Sequence, residues 1–313
     1  MSRRGSGGKK GDGPLVSVVT ATYNRAHYLP GTIESVLRQT YPHLEHHVVD
    51  DGSADNTKET IASYLDDSRL KYHIQSNRGQ AVARNVGLAH AKGEYICFLD
   101  SDNLWERDKV ESQLGEFEAH PEADVVYGDI QAIDEEGKPL DIPNMTRYSG
   151  QITEMLLRDN FVSFNTVMIR RRCYEELGGL DERIRRADDY EFFLRYSTRF
   201  RFLYVPKVYV QYRIQRKQIS SNKEARFESN RSILENFMKQ HPELVSEETR
   251  KTAWCHFYTR RGRHRASTAN YSGALGDYFR AIGYRPANVV PWRAILRMLL
   301  LWRQKKWKLE KVS

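Results

Sequence analysis

Cysteine is scarce in this 313-residue sequence, and a long apolar segment is missing. The three cysteines, Cys97, Cys173 and Cys255, form no C-x-x-C pair, which argues against a disulfide framework or a zinc knuckle and fits a reducing compartment. No uncharged apolar run approaches the roughly 20 residues that a membrane-spanning helix needs. We therefore expect buried thiols in a cytoplasmic protein that is soluble, or peripheral on the inner face of the cell membrane.

The composition is that of a globular protein, since 40% of the residues are hydrophobic and 11% are aromatic. Residues 1–13 are rich in Gly, Ser, Lys and Arg and lack the apolar segment of a signal peptide, so we expect a disordered leader. The net charge of +8 suits nucleic acid, an anionic membrane or a phosphorylated ligand. No nucleic-acid recognition motif accompanies the charge, so nucleic acid is not an expected partner.

From Leu15 onward, short β-branched segments alternate with longer amphipathic ones, which predicts an α/β fold with a mostly parallel central sheet flanked by helices. The predicted strands are Leu15–Thr22, Glu45–Asp50, Leu70–Ile74 and Glu94–Asp100, and the predicted helices are Tyr28–Gln39, Asn56–Leu65 and Gln80–Ala91. Ligands bind beyond the carboxyl ends of such strands. We therefore expect Thr20–Arg25, Asp50–Asp55 and Asp100–Asn103 to converge on one crevice.

The second half of the chain changes in character. Further strands are predicted at Asp124–Tyr127 and Thr166–Ile169, and a helix at Asp189–Thr198. Helical periodicity dominates from about Ala225. The expected organisation is a leader over 1–13, an α/β nucleotide-binding domain over 14–222 and a helical C-terminal region over 223–313.

Two motifs are suited to holding a nucleotide. Asp50-Asp51-Gly52-Ser53 and Asp55 follow a strand, where carboxylates can accept hydrogen bonds from a nucleobase or a ribose. A capped turn that starts the next helix is an equally good interpretation of this motif alone. The second motif is Asn77–Gly87 (NRGQAVARNVG). Here a helix that begins after a glycine offers backbone N–H groups to an anion, and Arg84 is placed to reach a diphosphate.

Two further motifs carry paired acids. Asp100 and Asp102 flank Ser101 at the end of a buried strand, where two hard oxygen ligands suit Mg²⁺ or Mn²⁺. The alternative is that Asp100 and Asp102 lie in a turn exposed to solvent. Metal binding is favoured over this alternative because two neighbouring carboxylates repel each other unless a cation lies between them. Asp188 and Asp189 open an amphipathic helix, where acids commonly complement the helix dipole and where a catalytic base is the other interpretation.

Together and in this order, the motifs resemble those of family 2 glycosyltransferases, which are inverting enzymes of GT-A fold. The matching segments are Val16–Arg25, Val49–Asp55, Asn77–Gly87, Glu94–Asn103, Gly178–Glu182, Asp188–Arg195 and Tyr212–Arg213. The resemblance implies a Rossmann-like nucleotide-binding half and a nucleoside-diphosphate-sugar donor, with UDP favoured. It also implies a glycan or lipid-linked acceptor and a role in cell-surface polysaccharide or glycolipid synthesis.

The resemblance assigns roles residue by residue. It implies a nucleotide-sugar site made by Thr20, Ala21, Tyr23, Arg25, Asp51, Ser53, Arg84, Asp100 and Ser101. Asp51 would contact the base, Asp102 would be the direct metal ligand and Asp100 would lie near the ribose and the metal. Asp189 would be the catalytic base, with Asp188 in the place of a glutamate. The chain departs from the family at Ala21, where proline is common, and at Gln215, where histidine is common.

Two other classes of protein are compared with this hypothesis. A sugar-1-phosphate nucleotidyltransferase normally carries a Gly- and Lys-rich loop after its first strand, whereas this chain has Thr22-Tyr23-Asn24-Arg25. A non-catalytic sugar-nucleotide or carbohydrate binding module would more often have lost one of the acids, and all of them are present. The enzyme is therefore favoured, and the binding module is the alternative.

The C-terminal segment WRAILRMLLLWRQKKWKLEKVS has seven Lys or Arg residues and one acid. Its larger apolar residues, Trp292, Ile295, Leu296, Leu299 and Trp302, fall near one helical face. Such a helix can lie in an anionic membrane interface. It can equally be a terminal helix docked on the protein with its basic face in water.

Overall fold

The computed structural model describes residues 13–143, 145–215 and 222–310, with the backbone alone for Leu301 and for 303–310. These residues form two compact units. One contains 13–152 and 161–215, and the other contains 153–160 and 222–310. The predicted leader falls almost entirely on 1–12, outside the described residues, and the predicted boundary near Lys223 adjoins 216–221, which are also outside them.

The first unit is built on one sheet. Its strands are β1 (Val16–Thr22), β2 (Leu44–Asp50), β3 (Leu70–Ile74), β4 (Tyr95–Phe98), β5 (Leu104–Trp105), β6 (Val125–Ile133), β7 (Pro139–Leu140), β8 (Met168–Arg170) and β9 (Phe202–Arg213). The order is β3-β2-β1-β4-β8-β6-β9-β5, with β7 paired to β6. Strands β1 to β4 pair in parallel, whereas β8 is antiparallel to both β4 and β6. The predicted α/β class is confirmed.

The helices follow the predicted alternation. They are α1 (Leu29–Leu37), α2 (Thr57–Thr60), α3 (Gln80–His90), α4 (Lys109–Ala119), α5 (Thr153–Leu156), α6 (Arg171–Leu177), α7 (Asp188–Tyr196), α8 (Lys223–Gln240), α9 (Glu247–Ser267), α10 (Tyr271–Tyr284) and α11 (Val289–Glu310). The helix predicted at Asn56–Leu65 is only α2 followed by a 3₁₀ turn, Ala62–Tyr64. Helices α4 and α6 and strand β9 were not predicted.

The core explains why the first strands were easy to predict. Val16, Val18 and Val48 are fully buried, as expected of parallel strands covered on both faces. Val16 and Val18 pack in one cluster with Cys97, and Val48 packs in another with Leu29 and other side chains from the helices. The three cysteines are buried and free, as expected.

The second unit is helical and includes a segment from the middle of the chain. In α9, Thr249 donates a hydrogen bond to Glu154 over 2.9 Å, and Arg260 pairs with Asp159. Elsewhere in this unit, Arg261 Nη2 donates to the fully buried Asp277 over 2.7 Å. Among the described residues no helix is both long enough and apolar enough to cross a membrane.

Candidate active site

The loops that follow β1 and β2 are fastened to each other. Asn24 N donates to Ser53 Oγ over 2.9 Å, and Ala54 N donates to Asn24 Oδ1 over 2.8 Å. Asn24 has φ 52°, a left-handed conformation that asparagine tolerates better than most residues. Ala26 N also donates to Asp55 Oδ2 over 3.1 Å. The two loops therefore meet at one edge of the sheet, as their parallel strands predict.

Asp51 ties the end of β2 to the start of α3. Its carboxylate accepts hydrogen bonds from Arg78 N and Gly79 N, each over 2.8 Å, and from Gln75 Nε2 over 2.7 Å. Gly79 has φ 101°, a conformation that glycine adopts without a side-chain penalty. Asp51 is only 4% exposed, so it organises the backbone at the start of α3, and its contact with a base stays a prediction.

Arg84 joins the acidic motif after β4 to the start of α7. Its Nη2 donates to Asp100 Oδ1 and its Nη1 donates to Asp188 Oδ2, each over 2.6 Å. The guanidinium also lies 4.8 Å from the centre of the Phe164 ring. Burial acts to lower the pKa of Arg84, but Asp188 and Asp100 raise it above its ordinary value. Arg84 is therefore a buried cation that holds two acids, and its predicted position facing the nucleotide cleft stays a prediction.

Asn165 is a site residue that the sequence did not predict. Its Nδ2 donates to Asp100 Oδ2 over 2.8 Å, and its Oδ1 accepts from Asp100 N over 2.7 Å. It is 2% exposed, in a short 3₁₀ helix, Phe164–Thr166, just before β8. Because Arg84 and Asn165 each bind one oxygen of Asp100, the orientation of this carboxylate is fixed. The only available signal was a polar residue just before a predicted buried strand.

Asp102 is the metal ligand that the resemblance implies. Burial, and then the neighbouring Asp100, raise the pKa of Asp102 to about 6, so a positive partner would relieve an unfavourable charge. Arg25 Nε is 3.9 Å from Asp102 Oδ2, and Gln215 Nε2 donates to that oxygen over 2.9 Å. The part of the chain that the structure describes has no group of three or more His, Cys, Asp or Glu side chains able to hold a metal. Mg²⁺ commonly binds one or two carboxylates and completes its shell with phosphates and water, so the residues present fit it.

Strand β9 ends beside the loop that contains Asp102 and forms hydrogen bonds with it. Arg213 N donates to Asn103 Oδ1 over 2.8 Å, and Arg213 Nε donates to the backbone oxygen of Asp102 over 3.1 Å. The Arg213 guanidinium also lies 5.1 Å from the centre of the Tyr28 ring. Gln215, two residues further on, occupies the position where the family often has histidine, and it contacts the predicted metal ligand directly.

The start of α7 separates the two neighbouring acids. Ala187 has φ 59°, which turns the chain sharply into the helix. Asp188 is 13% exposed at its side chain and is bound by Arg84, whereas Asp189 Oδ1 accepts from Tyr190 N over 2.9 Å. Arg84 forms an ion pair with Asp188, a contact that the sequence alone could not predict.

The loop before α7 is clamped to α3 by one amide. Asn85 Oδ1 accepts from Leu180 N over 2.8 Å, and Asn85 Nδ2 donates to Leu180 O over 2.9 Å. Gly179 lies so close that a Cβ there would clash with Asn85 Oδ1. This packing explains Gly179 of the GGLDE motif, whereas Gly178 has φ 74°, a conformation that favours glycine. The contact holds the loop before α7 against α3.

The remaining predicted residues differ in exposure. Thr20 is fully buried and its hydroxyl lies 2.9 Å from His46 Nε2, and Ser101 is 6% exposed, so neither side chain offers much surface to a ligand. Tyr23 is 47% exposed. Ala21, Arg25 and Ser53 are partly exposed and are available to a ligand.

Comparison with known proteins gives the same family. Residues 17–178 match the family described as Glycosyl transferase family 2. A Bacillus subtilis protein named as a teichuronic acid biosynthesis glycosyltransferase, TuaG, is 34% identical over 218 residues, which are 67% of this chain and 83% of that protein. Chondroitin synthase of Pasteurella multocida is 32% identical over 200 residues, which are 62% of this chain but 20% of that protein.

A solved structure shares the fold. S. aureus TarS 1-349 in complex with UDP-GlcNAc has a TM-score of 0.60 at 19% identity, over 93% of this chain and 92% of that chain. This likeness confirms the predicted GT-A type of α/β fold. With the family match, it leads to one conclusion: the chain belongs to glycosyl transferase family 2 and is a glycosyltransferase.

Proposed function

We propose that the enzyme is a metal-dependent inverting glycosyltransferase that moves a sugar from a UDP-sugar to a hydroxyl of a glycan or lipid-linked acceptor. The names of TuaG and chondroitin synthase support a role in cell-surface polysaccharide synthesis. The TarS structures with UDP and with UDP-GlcNAc support a UDP-linked donor. We place the reaction in the cytoplasm, at the inner face of the cell membrane, where a lipid-linked acceptor would be presented.

The observation that carries the proposal is the arrangement of Arg84, Asp188 and Asp189. Arg84 binds Asp188 and so fixes the start of α7, and Asp189, which matches the family's catalytic acid, is the proposed general base. Asp189 accepts the proton of the acceptor hydroxyl while that oxygen bonds to the anomeric carbon. The bond from this carbon to the diphosphate oxygen breaks, nucleoside diphosphate leaves, and the configuration inverts.

The donor is expected to lie across the loops that follow β1, β2 and β4. Tyr23, Arg25 and Ser53 offer exposed or partly exposed side chains, and Asp51 would contact the base. Asp102 would hold Mn²⁺ or Mg²⁺, with Asp100 beside it. Such an ion, when bound, stabilises the charge of the departing diphosphate. Arg84 and Asn165 keep Asp100 in place.

Release of nucleoside diphosphate tests the proposal. UDP-, dTDP- and GDP-sugars are offered with Mn²⁺, with Mg²⁺ and with a chelator to the wild type, Asp102→Asn and Asp189→Asn. Asp67→Asn is a matched control, because Asp67 pairs with Arg69 just before β3 and lies outside the proposed machinery. We expect metal-dependent release from the wild type and the control, reduced by about 10² to 10⁴ in Asp189→Asn.

Two results would contradict the proposal. Donor binding without release, unchanged across acceptors and variants, would show a non-catalytic binding module. Release that is unaffected by the chelator and by Asp102→Asn would remove the metal from the reaction.

A further inference from the structure

Helix α11 has a row of large apolar side chains on its solvent-facing side. The exposed fractions are 46% for Trp292, 62% for Leu296, 42% for Leu299 and 62% for Leu300. Residues three or four positions apart lie on the same side of a helix, so these four side chains form one stripe. The stripe is defined here as the outer row.

The opposite side of α11 is already packed. Met298 is 4% exposed and lies in a cluster with Ala274 and Tyr278 of α10. Ala294 and Ile295 pack against the same cluster. The helix therefore has two apolar sides. One holds it in the helical unit, and the outer row is left in water.

Basic residues border the outer row. Arg293 and Arg297 are exposed, and each follows a member of the row by one position, which places both along the same side of it. Over residues 289–310 the sequence has six Lys or Arg residues and one Glu. Apolar side chains bordered by cations are typical of helices that lie in the interface of an anionic bilayer.

We propose that the outer row of α11 docks on an anionic lipid surface, with Trp292, Leu296, Leu299 and Leu300 entering the headgroup boundary and Arg293 and Arg297 contacting lipid phosphates. Nucleic acid would leave the row in water, because its surface offers charge and no acyl layer. A second copy of the chain would bring a second set of cations against the first. An anionic lipid surface accommodates both the apolar outer row, in its acyl layer, and the arginines, at its phosphates. The inference rests on this helix and is independent of the proposed reaction.

Co-sedimentation of the full chain with lipid vesicles, without donor, tests the inference. Vesicles of phosphatidylcholine alone are compared with vesicles that also contain phosphatidylglycerol, at low and at high salt. The wild type is expected to bind the anionic vesicles, and salt should weaken this binding. Leu296→Gln with Leu300→Gln should weaken it at least about tenfold. Arg293→Gln and Arg297→Gln should each weaken it about fivefold.

Controls separate docking from loss of fold. Leu244→Gln and Lys239→Gln change exposed residues of the same unit outside α11, and they should bind as the wild type does. Thermal unfolding of every variant checks that the fold persists. Equal binding to neutral vesicles, or binding that survives the leucine substitutions, would overturn the proposal. So would wild-type self-association that these substitutions abolish without any vesicle binding, which would assign the row to a second copy.

Discussion

Arg84 Nη1 donates to Asp188 Oδ2 over 2.6 Å, although 104 positions separate the two residues in the chain. The same guanidinium binds Asp100, so one buried side chain connects the proposed metal end of the site to the residue that precedes the proposed base. Displacing either acid would remove one of the two carboxylates that hold the buried guanidinium in place. The geometry of the two ends is therefore expected to be coupled.

The two neighbouring acids of α7 are expected to differ in function. Asp189→Asn should lower kcat by about 10² to 10⁴ and largely spare donor binding, because the general base is lost. Asp188→Asn keeps an oxygen for Arg84, so its main effect should be on stability. Steady-state kinetics and donor titration of both variants measure the difference. A reversed order of the two kcat values would assign the base to Asp188.

Removal of the buried cation should be costly. Arg84→Met leaves Asp100 and Asp188 without their partner, and we expect a loss of about 3 to 5 kcal/mol in the free energy of unfolding. Arg78→Met is a matched control, since Arg78 is 59% exposed at its side chain and 3.9 Å from Glu182; it should cost under about 1 kcal/mol. Urea denaturation of the wild type and of both variants measures the two losses in the free energy of unfolding. Equal losses in the two variants would show that the Arg84 contacts add nothing to stability.

The clamp between α3 and the loop before α7 should affect turnover. Gly179→Ala would push against Asn85 and shift the loop that leads to Asp189. A small displacement of a catalytic group can cost up to about 10² in rate, so we expect a fall in kcat with a smaller change in donor affinity. Gly115→Ala, in α4, has open space around the added methyl group and serves as control. An unaltered kcat in Gly179→Ala would show that the loop does not position the base.

A histidine cluster at β2 and β3 should make stability depend on pH. Burial, then His90 and His47, lower the pKa of His73 to about 4, and burial, then His47, lower that of His46 to about 3. The unfolded chain binds protons to these groups near pH 6.5, before the folded chain does. The stability contributed by the neutral histidines is therefore complete above pH 6.5 and is lost as pH falls towards 4.

Urea denaturation between these pH values measures the effect. His73→Gln should show a shallower loss of unfolding free energy on acidification than the wild type, because one titrating group is removed. His27→Gln changes an exposed histidine and should retain the wild-type slope. Identical slopes in all three proteins would exclude a contribution from His73.

The sequence predicts those parts of the fold that local patterns determine. Strands β1 to β4 are short, apolar and punctuated by polar loops, so both their positions and the acids that follow them could be predicted. Strand β9 was not predicted because Pro206 interrupts its pattern. In the structure, the pairing of β9 with β6 is irregular between Tyr127 and Asp129, and this irregularity accommodates the proline.

The site could be predicted as a set of residues but not as a set of contacts. Arg84 and Asp100 both belong to recognisable motifs, yet their pairing with Asp188 and Asn165 depends on how distant segments pack. Asn165 lies just before β8, in a segment with little periodicity. The pairing of Asp188 in α7 with Arg84 in α3 likewise depends on tertiary packing, so the helix sequence alone could not predict it.

The helical unit is assembled from two separate stretches of the chain, since 153–160 fold with 222–310. A gene shortened to end before residue 222 would still encode Leu156 and Leu157, which are fully buried in the intact protein. It would also still encode Glu154 and Asp159, whose partners lie in α9. Exchange of the C-terminal helices during evolution would therefore require a matching change in this internal stretch. The two parts of the chain are expected to be inherited together.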